Sequence, residues 1–202
     1  MHYSVCGVIR RSTALVATAL LLIAALAGCG TSQPEPQLTA GEVMPDMQGA
    51  DPRLVKLVGQ ADELLPGGKS AFESRIKSLG GLPIVANKWA SWCVPCRAEA
   101  TVFQNTAKDL GNRVAFLGVN VNDPVDESEA FRARYPMPYP SYDDPNWKIA
   151  ALLPPADKQP VTGIYDRQGR LAHLEIGAYK TPQELKADIE RYAGPIGKAP
   201  GG

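Results

Sequence analysis

The chain has 202 residues, of which 45% are apolar and 21% are charged. Its 21 basic residues balance its 21 acidic residues, so the formal net charge at pH 7 is zero. These values are those of an ordinary globular protein of one domain with appendages, and they give no indication of a nucleic-acid partner.

The first 28 residues have the layout of a secretory signal peptide. Arg10 and Arg11 precede an apolar run of fifteen residues at 13–27, and small residues close the segment. A transmembrane helix needs about 20 apolar residues, so the run is short for a membrane span, and a tilted signal anchor is the alternative. The sequence LAGC at 26–29 resembles the lipobox of bacterial lipoproteins, which implies that Cys29 is lipidated after cleavage. Otherwise Cys29 is left as a free thiol.

Two further segments are predicted to lie outside the folded domain. Residues 29–50 are polar and rich in proline and threonine, which predicts a flexible tether between the lipid and the domain. Residues 194–202 have no apolar content to bury and are predicted to form a disordered tail. Between them, residues 51–193 are predicted to form one domain. Removal of the signal peptide takes away two arginines and leaves 19 basic against 21 acidic residues, which again gives no sign of a nucleic-acid partner.

The predicted domain alternates between helical and strand patterns. Helices are predicted at 52–65, 71–79 (with Ser70 as N-cap), 94–110, 125–135, 144–153 and 181–193 (with Thr181 as N-cap). Strands are predicted at 82–89, 113–121, 161–166 and 170–179, and the last two form a hairpin. This order predicts an α/β fold with a central mixed β-sheet, helices on both faces and a helical N-terminal extension.

A pair of cysteines marks the start of the predicted helix 94–110. At a helix N-terminus, unpaired N–H groups and the helix dipole lower the pKa of a thiol, which favours the thiolate of Cys93. That thiolate would attack a substrate disulfide, and Cys96, one turn further along, would resolve the mixed disulfide. The pair lacks the further ligands of a metal site, although a copper site that adds His173 is the alternative. A purely structural disulfide would close a loop too short to stabilise the fold much.

Two segments resemble a known family. KWASWCVPCRAE at 88–99 resembles the active-site segment of the TlpA-like thiol:disulfide oxidoreductases, which are extracytoplasmic members of the thioredoxin superfamily. The resemblance covers about residues 82–193 and implies the thioredoxin fold. QPVTGIYDRQG at 159–169 resembles the Pro-x-Thr strand of this family. It implies that Pro160 is a cis-proline facing the cysteines and that the backbone of Gln159 pairs with substrate; a trans proline that begins an ordinary strand is the alternative.

Glu99 is the carboxylate predicted to lie beneath the cysteines. Helical spacing places it on the same face as Cys96, towards the sheet, and its position matches the active-site glutamate of the TlpA-like family. Asn87 stands where thioredoxins keep a buried aspartate, so Glu99 is expected to exchange protons with Cys96. A favourable charge near the helix N-terminus is the alternative role. Trp92, beside Cys93, is predicted to form an apolar rim for a docking peptide.

Together these features predict a lipid-anchored thiol:disulfide oxidoreductase on the extracytoplasmic face of the cell membrane. The resemblance implies a reductase of the cytochrome c maturation type that receives electrons from a membrane thiol-redox carrier. Its partners would be protein substrates with cysteines or disulfides. A disulfide-forming oxidase, a copper-binding or delivery module and a redox-inert binding domain are the alternatives. No metal or other cofactor is expected, and Lys88 in the strand 82–89 should meet a carboxylate or extend to solvent.

Overall fold

The computed structural model describes residue 2 and residues 38–197. Apart from His2, the predicted signal peptide lies outside these residues, as do Cys29 and the end of the predicted tail. The α-helices of the described part are α1 (Pro52–Val58), α2 (Gly68–Ser78), α3 (Val94–Leu110), α4 (Val125–Arg134) and α5 (Pro182–Ala193). The strands are β1 (Leu64–Leu65), β2 (Ile84–Trp89), β3 (Ala115–Val121), β4 (Ser141–Asp144), β5 (Val161–Tyr165) and β6 (Leu171–Ile176).

The strands form one mixed sheet in the order β1-β4-β3-β2-β5-β6. Neighbours from β1 to β2 run parallel, whereas β5 is antiparallel to both β2 and β6. Near the end of β2, Lys88 pairs with Val161, the first residue of β5. The residues just after β2 and those just before β5 therefore share one edge of the sheet.

The central strand β2 contributes to a hydrophobic core on each face of the sheet. All six of its residues are buried, and successive side chains point to opposite faces. Val85 and Trp89 belong to the cluster that also contains apolar residues of α3, α4 and α5. Ile84 and Ala86 belong to the cluster that contains those of α1 and α2. The predicted mixed sheet with helices on both faces and a helical N-terminal extension is confirmed.

The long elements agree with the sequence analysis within a few residues. Helix α3 has the predicted bounds. Thr181 caps α5 as predicted, because its hydroxyl accepts the N–H of Glu184 at 3.2 Å. These elements carry their own start and stop signals and a clear apolar periodicity.

Three local predictions are wrong. The predicted helix 52–65 ends at Val58, and Leu64–Leu65 form β1 instead. Ser70 lies inside α2, whose N-cap is Gly67. In place of a helix over 144–153, the structure has the end of β4 at Asp144 and one 3₁₀ turn at Ala150–Leu152. Strand β4 forms by parallel pairing with β1 on one side and with β3 on the other, and local sequence does not encode such pairing.

The described ends of the chain pack on the domain. Val43 is 1% exposed, and the side-chain amide of Asn112 donates to the carbonyl of Asp46 at 3.0 Å. Residues 43–46 therefore pack with the domain, N-terminal to the boundary predicted at residue 51. Arg113 donates to the carbonyl of Gly197 at 3.0 Å. None of the helices within residues 38–197 combines the length and the hydropathy of a membrane-spanning segment.

Candidate active site

Cys93 and Cys96 lie at the N-terminus of α3 and are joined by a disulfide with an S–S distance of 2.06 Å. Cys93 is the N-cap residue, and its Sγ accepts the N–H of Cys96 at 3.2 Å. Pro95 occupies the first turn, where the absence of an N–H leaves no helical hydrogen bond unmade. After reduction of the disulfide, the backbone N–H groups at this helix terminus favour the thiolate of Cys93.

The surface beside the disulfide is apolar. Cys93 and Cys96 are only 4% and 2% exposed, whereas the neighbouring Trp92 and Val94 are 49% and 65% exposed. Large exposed apolar side chains next to a reactive sulfur offer a contact area for an incoming peptide. The structure thus places Trp92 where the predicted rim requires it, and its part in substrate binding stays a prediction.

One aspartate holds the loop between β2 and α3. Asp123, in the loop after β3, accepts the backbone N–H of Ser91 at 2.6 Å and the hydroxyl of Ser91 at 2.5 Å. Asn120 donates to the same carboxylate at 2.8 Å. The indole N–H of Trp92 donates to the carbonyl of Asn122 at 3.3 Å. These contacts fix the loop that carries the exposed tryptophan.

Glu99 is buried within the core and is 1% exposed. Its carboxylate accepts the side-chain N–H of Asn87 at 2.8 Å and the backbone N–H of Tyr179 at 3.2 Å. The Asn87 amide also donates to the hydroxyl oxygen of Thr162 at 3.3 Å. Burial raises the pKa of Glu99 to about 8, and the two hydrogen bonds to its carboxylate limit this rise. The carboxyl group can therefore take up or release a proton near neutral pH.

Cys96 and Glu99 line the same small cavity of about 10 Å³. Asn87, Phe103 and Tyr139 also line it. Its volume is close to the lower limit for one water molecule. The predicted placement of a carboxylate beneath the cysteines is therefore found in the structure.

The bond between Gln159 and Pro160 is cis, as the family resemblance implies. Pro160 is buried and directly precedes β5, whose first residue pairs with Lys88 of β2. Pro160 therefore lies at the sheet edge from which the cysteine loop departs. Within the described part of the chain, the side-chain Nε2 of Gln159 is buried without a hydrogen-bond partner. Pairing of the Gln159 backbone with substrate stays a prediction.

Lys88 neither meets a carboxylate nor reaches solvent, contrary to both expectations for it. Its Nζ donates to the backbone carbonyls of Leu153 at 2.9 Å, Pro155 at 2.5 Å and Ala156 at 3.2 Å. Burial lowers the pKa of Lys88 to about 8. The lysine thus links the central strand to the segment that leads to Pro160.

His173 lies half-buried on β6, as predicted. Among residues 38–197, the side chains with the spacing of a metal site are His173, Glu175 and Asp188. Neither cysteine belongs to this group. The arrangement therefore gives no support to a copper site made of His173, Cys93 and Cys96.

Three residues that support the site were not predicted from the sequence. Thr162 lies in the Pro-x-Thr segment, and its place beside Asn87 follows from the antiparallel pairing of β5 with β2. Asp123 follows the apolar run of β3, and a carboxylate at that position is a usable signal for a loop contact. Tyr179 contacts Glu99 through its backbone N–H, which no side-chain pattern reveals.

The chain resembles known proteins over most of the folded domain. Residues 65–174 match the AhpC/TSA family. Thiol:disulfide interchange protein DsbE of Allochromatium vinosum is 34% identical over 114 residues, which cover 54% of this chain and 61% of that protein. The DsbE homolog of Paracoccus denitrificans is 32% identical over 124 residues, which cover 59% of this chain and 63% of that protein. The match thus spans less than two thirds of the length of each relative.

A solved structure agrees with these relatives. It is that of a secreted Mycobacterium tuberculosis disulfide oxidoreductase homologous to E. coli DsbE, with 25% identity and a TM-score of 0.51, covering 56% of this chain and 84% of that chain. The segment matched by the family includes more than half of this chain, and it contains both cysteines, Glu99 and Pro160. The chain therefore belongs to the thioredoxin-like AhpC/TSA family and is related to its thiol:disulfide oxidoreductases.

Proposed function

We propose that this chain is a membrane-anchored thiol:disulfide oxidoreductase of the extracytoplasmic face, which exchanges disulfides with protein substrates and works as a reductase of the cytochrome c maturation type. Its chemistry rests on one arrangement, the Cys93–Cys96 pair at a helix N-terminus above the buried, protonatable carboxyl group of Glu99. A disulfide that only braced the fold would need neither this acid nor the exposed apolar side chain of Trp92.

In the first step, the thiolate of Cys93 attacks one sulfur of a client disulfide. A bond between Cys93 and that client sulfur forms as the client S–S bond breaks, and the second client sulfur leaves as a thiolate. The N–H groups at the start of α3 stabilise the attacking thiolate. Trp92 contacts the client, and the backbone of Gln159 pairs with it as an added strand.

In the second step, Cys96 releases the client. In the ionised fraction of Glu99, which grows as the pH approaches about 8, the carboxylate accepts the proton of the Cys96 thiol. The resulting thiolate attacks the sulfur of Cys93. The Cys93–Cys96 disulfide forms and the remaining client sulfur leaves, so the client gains two electrons and this protein loses two. The client thiolates take up one proton from Glu99 and one from solvent. A membrane thiol-redox carrier then returns two electrons to the disulfide.

The location of the protein is proposed from sequence features and relatives. The signal-like segment 1–28 and the LAGC sequence support export and lipid attachment at Cys29. Disulfides form and persist outside the cytoplasm, which suits a protein that cycles through the Cys93–Cys96 bond. Two relatives are named as thiol:disulfide interchange proteins and one solved structure is of a secreted oxidoreductase, which supports a location outside the cytoplasm.

The direction of electron flow is tested with a peptide that carries a haem-attachment sequence of the form Cys-x-x-Cys-His. In one reaction the reduced protein is mixed with the oxidised peptide, and in a second the oxidised protein is mixed with the reduced peptide. Each reaction is quenched with acid, the free thiols are alkylated, and the products are identified by mass. The reductase proposal expects electrons to flow to the peptide and a reduction potential below about −220 mV in glutathione buffers. The variant Cys93→Ser, as control, should transfer none.

Two outcomes would count against the proposal. A potential near about −120 mV, with net oxidation of the reduced peptide, would make the protein a disulfide-forming oxidase. No exchange in either direction would make it a redox-inert member of the fold.

A further inference from the structure

We propose that His173, Glu175 and Asp188 form a binding site for a divalent metal ion of borderline softness, with zinc(II) as the reference ion. The site is separate from the disulfide and joins the edge strand β6 to helix α5. Its three ligand atoms all lie within 4.8 Å of one another.

The distances suit a metal between the three side chains. Nε2 of His173 lies 3.5 Å from a carboxylate oxygen of Glu175 and 3.9 Å from one of Asp188. Zinc bonds nitrogen at about 2.0–2.1 Å and carboxylate oxygen at about 2.0–2.2 Å, so two ligands at a tetrahedral angle are about 3.4 Å apart. The two distances from Nε2 are therefore within about 0.5 Å of the spacing that zinc requires. The ligand atoms of Glu175 and Asp188 lie within 4.8 Å of each other, a separation that side-chain rotation can reduce.

The histidine nitrogen is available for this bond. Nε2 of His173 is buried from solvent and has no hydrogen-bond partner within the described residues. A buried polar atom without a partner is costly and calls for an explanation. A metal bond to Nε2 supplies the missing interaction, and imidazole with two carboxylates is a ligand set that zinc accepts.

Neighbouring aromatic residues hold two of the ligands in place. The ring of Tyr192 stacks on His173 with centroids 4.0 Å apart and an interplanar angle of 1°. The hydroxyl of Tyr179 donates to the Asp188 carboxylate at 2.9 Å. Hydrogen bonds and contacts of this kind orient metal ligands and strengthen their binding.

An open cavity of about 300 Å³ borders the two acidic residues of the site. Glu175, Asp188 and Glu184 line it together with Lys180. Three carboxylates against one ammonium group make the cavity attractive to cations. Its space also accommodates the water molecules that complete the coordination of an ion with three protein ligands.

The test uses the full chain with the Cys93–Cys96 disulfide formed and the thiols of Cys6 and Cys29 alkylated, so that no sulfur competes for the ion. Zinc chloride is titrated by calorimetry, and the imidazole nitrogens are followed by NMR. We expect one equivalent of zinc to bind and the Nε2 resonance of His173 to shift, while that of His2 does not.

Two variants each remove one metal ligand and keep the packing contact of the side chain that they replace. His173→Phe keeps a ring against Tyr192, and Asp188→Asn keeps the contact with Tyr179. Each should weaken zinc affinity by at least about tenfold. The control Glu184→Gln removes a carboxylate from the same cavity but outside the proposed ligand set, and should change the zinc affinity far less than either ligand variant because only its long-range charge is lost.

The absence of saturable zinc binding to the wild-type chain would overturn the proposal. Equal affinity in wild type, His173→Phe and Asp188→Asn would also overturn it. If His173→Phe does not fold, the wild-type NMR titration and Asp188→Asn decide the question, because neither requires that variant.

Discussion

At the scale of single residues, the carboxyl group of Glu99 is buried and accepts two hydrogen bonds. Burial raises the pKa of Glu99 from 4.5 to about 8. Between these two pH values the folded protein keeps a proton that the unfolded chain has already released. The stability of the wild type should therefore decline as the pH rises from about 4.5 to about 8.

Glu99→Gln should remove this pH dependence and slow disulfide exchange near neutral pH. If the Asn87 amide turns over, its oxygen accepts the new N–H and the hydroxyl of Thr162, while Tyr179 keeps its acceptor. The free energy of unfolding should then exceed that of the wild type by an amount that grows with pH and becomes constant above about 8. Urea denaturation and peptide-disulfide reduction, each from about pH 5 to about pH 9, measure the two effects.

The matched control for this variant is Glu190→Gln, which removes an exposed carboxylate from α5 and should change neither quantity. If Glu99→Gln lowers stability slightly, by about 0.3–1 kcal/mol, and leaves the exchange rate unchanged, the carboxylate acts only as a favourable charge near the helix N-terminus.

Cys93 is expected to be the nucleophile, because its Sγ faces the N–H groups at the start of α3. In the reduced protein, iodoacetamide at mildly acidic pH should label Cys93 before Cys96, as measured by peptide mass spectrometry. Cys96→Ser should trap clients as mixed disulfides, and Cys93→Ser should trap none. Faster labelling of Cys96 would reverse the assignment.

The chemistry of the site could be predicted because its key residues carry their signals locally. The Cys-x-x-Cys spacing, the position of Glu99 one turn later and the Gln159-Pro160 segment are all visible within short stretches of sequence. The hydrogen bonds to Glu99 could not be predicted in the same way. Tyr179 donates to Glu99 from a position eighty residues further along the chain, and Thr162 contacts the Asn87 partner of Glu99 through the register of β5 against β2.

At the scale of elements, the loop between β2 and α3 depends on Asp123. Asp123→Ala should leave the backbone N–H of the nearly buried Ser91 without its acceptor, which costs about 1–3 kcal/mol of stability. The loop that carries Trp92 should also lose its fixed position, so disulfide exchange should slow. Urea denaturation and client reduction measure the two effects.

Asp126→Ala provides the comparison, since it removes an exposed carboxylate from the first turn of α4. It should lower stability by no more than about 1 kcal/mol and leave exchange unaffected. Equal effects of the two variants on both quantities would show that Asp123 acts only as a surface charge.

The sheet shows which elements a sequence can reveal. Strands β2 and β3 are continuous apolar runs, buried on both faces, and their position could be predicted. Strand β4 has the sequence SYDD, in which a single residue is apolar. It becomes a strand because Ser141 and Tyr142 pair with β1 on one side and with β3 on the other. Such a strand is specified by its neighbours and not by its own composition.

At the scale of the whole molecule, the anchor and the redox centre are predicted to be separable. Cys29→Ala should release the protein from membranes or block its processing, because the lipid attachment site is lost. Exchange through Cys93 and Cys96 should be unchanged in the purified protein. Cell fractionation and intact-mass measurement provide the readout. A soluble wild-type protein without an acyl chain would contradict the lipidation of Cys29.

The burial of both sulfurs within one of the two core clusters has a thermodynamic consequence. The disulfide forms and breaks inside the part of the protein that unfolds cooperatively, so folding and oxidation are linked in one cycle. The difference in unfolding free energy between the oxidised and reduced proteins equals the free energy that the fold adds to the redox couple. About 1.4 kcal/mol of that difference corresponds to about 30 mV in reduction potential.

For a reductase, the oxidised protein should therefore be at least as resistant to denaturant as the reduced protein. In an oxidase, the fold stabilises the dithiol, and the reduced protein is the more resistant of the two. Urea denaturation of the two redox forms measures this order directly. A purified protein without any client, carrier or membrane thus reports whether its fold favours the disulfide, as a reductase requires, or the dithiol, as an oxidase requires.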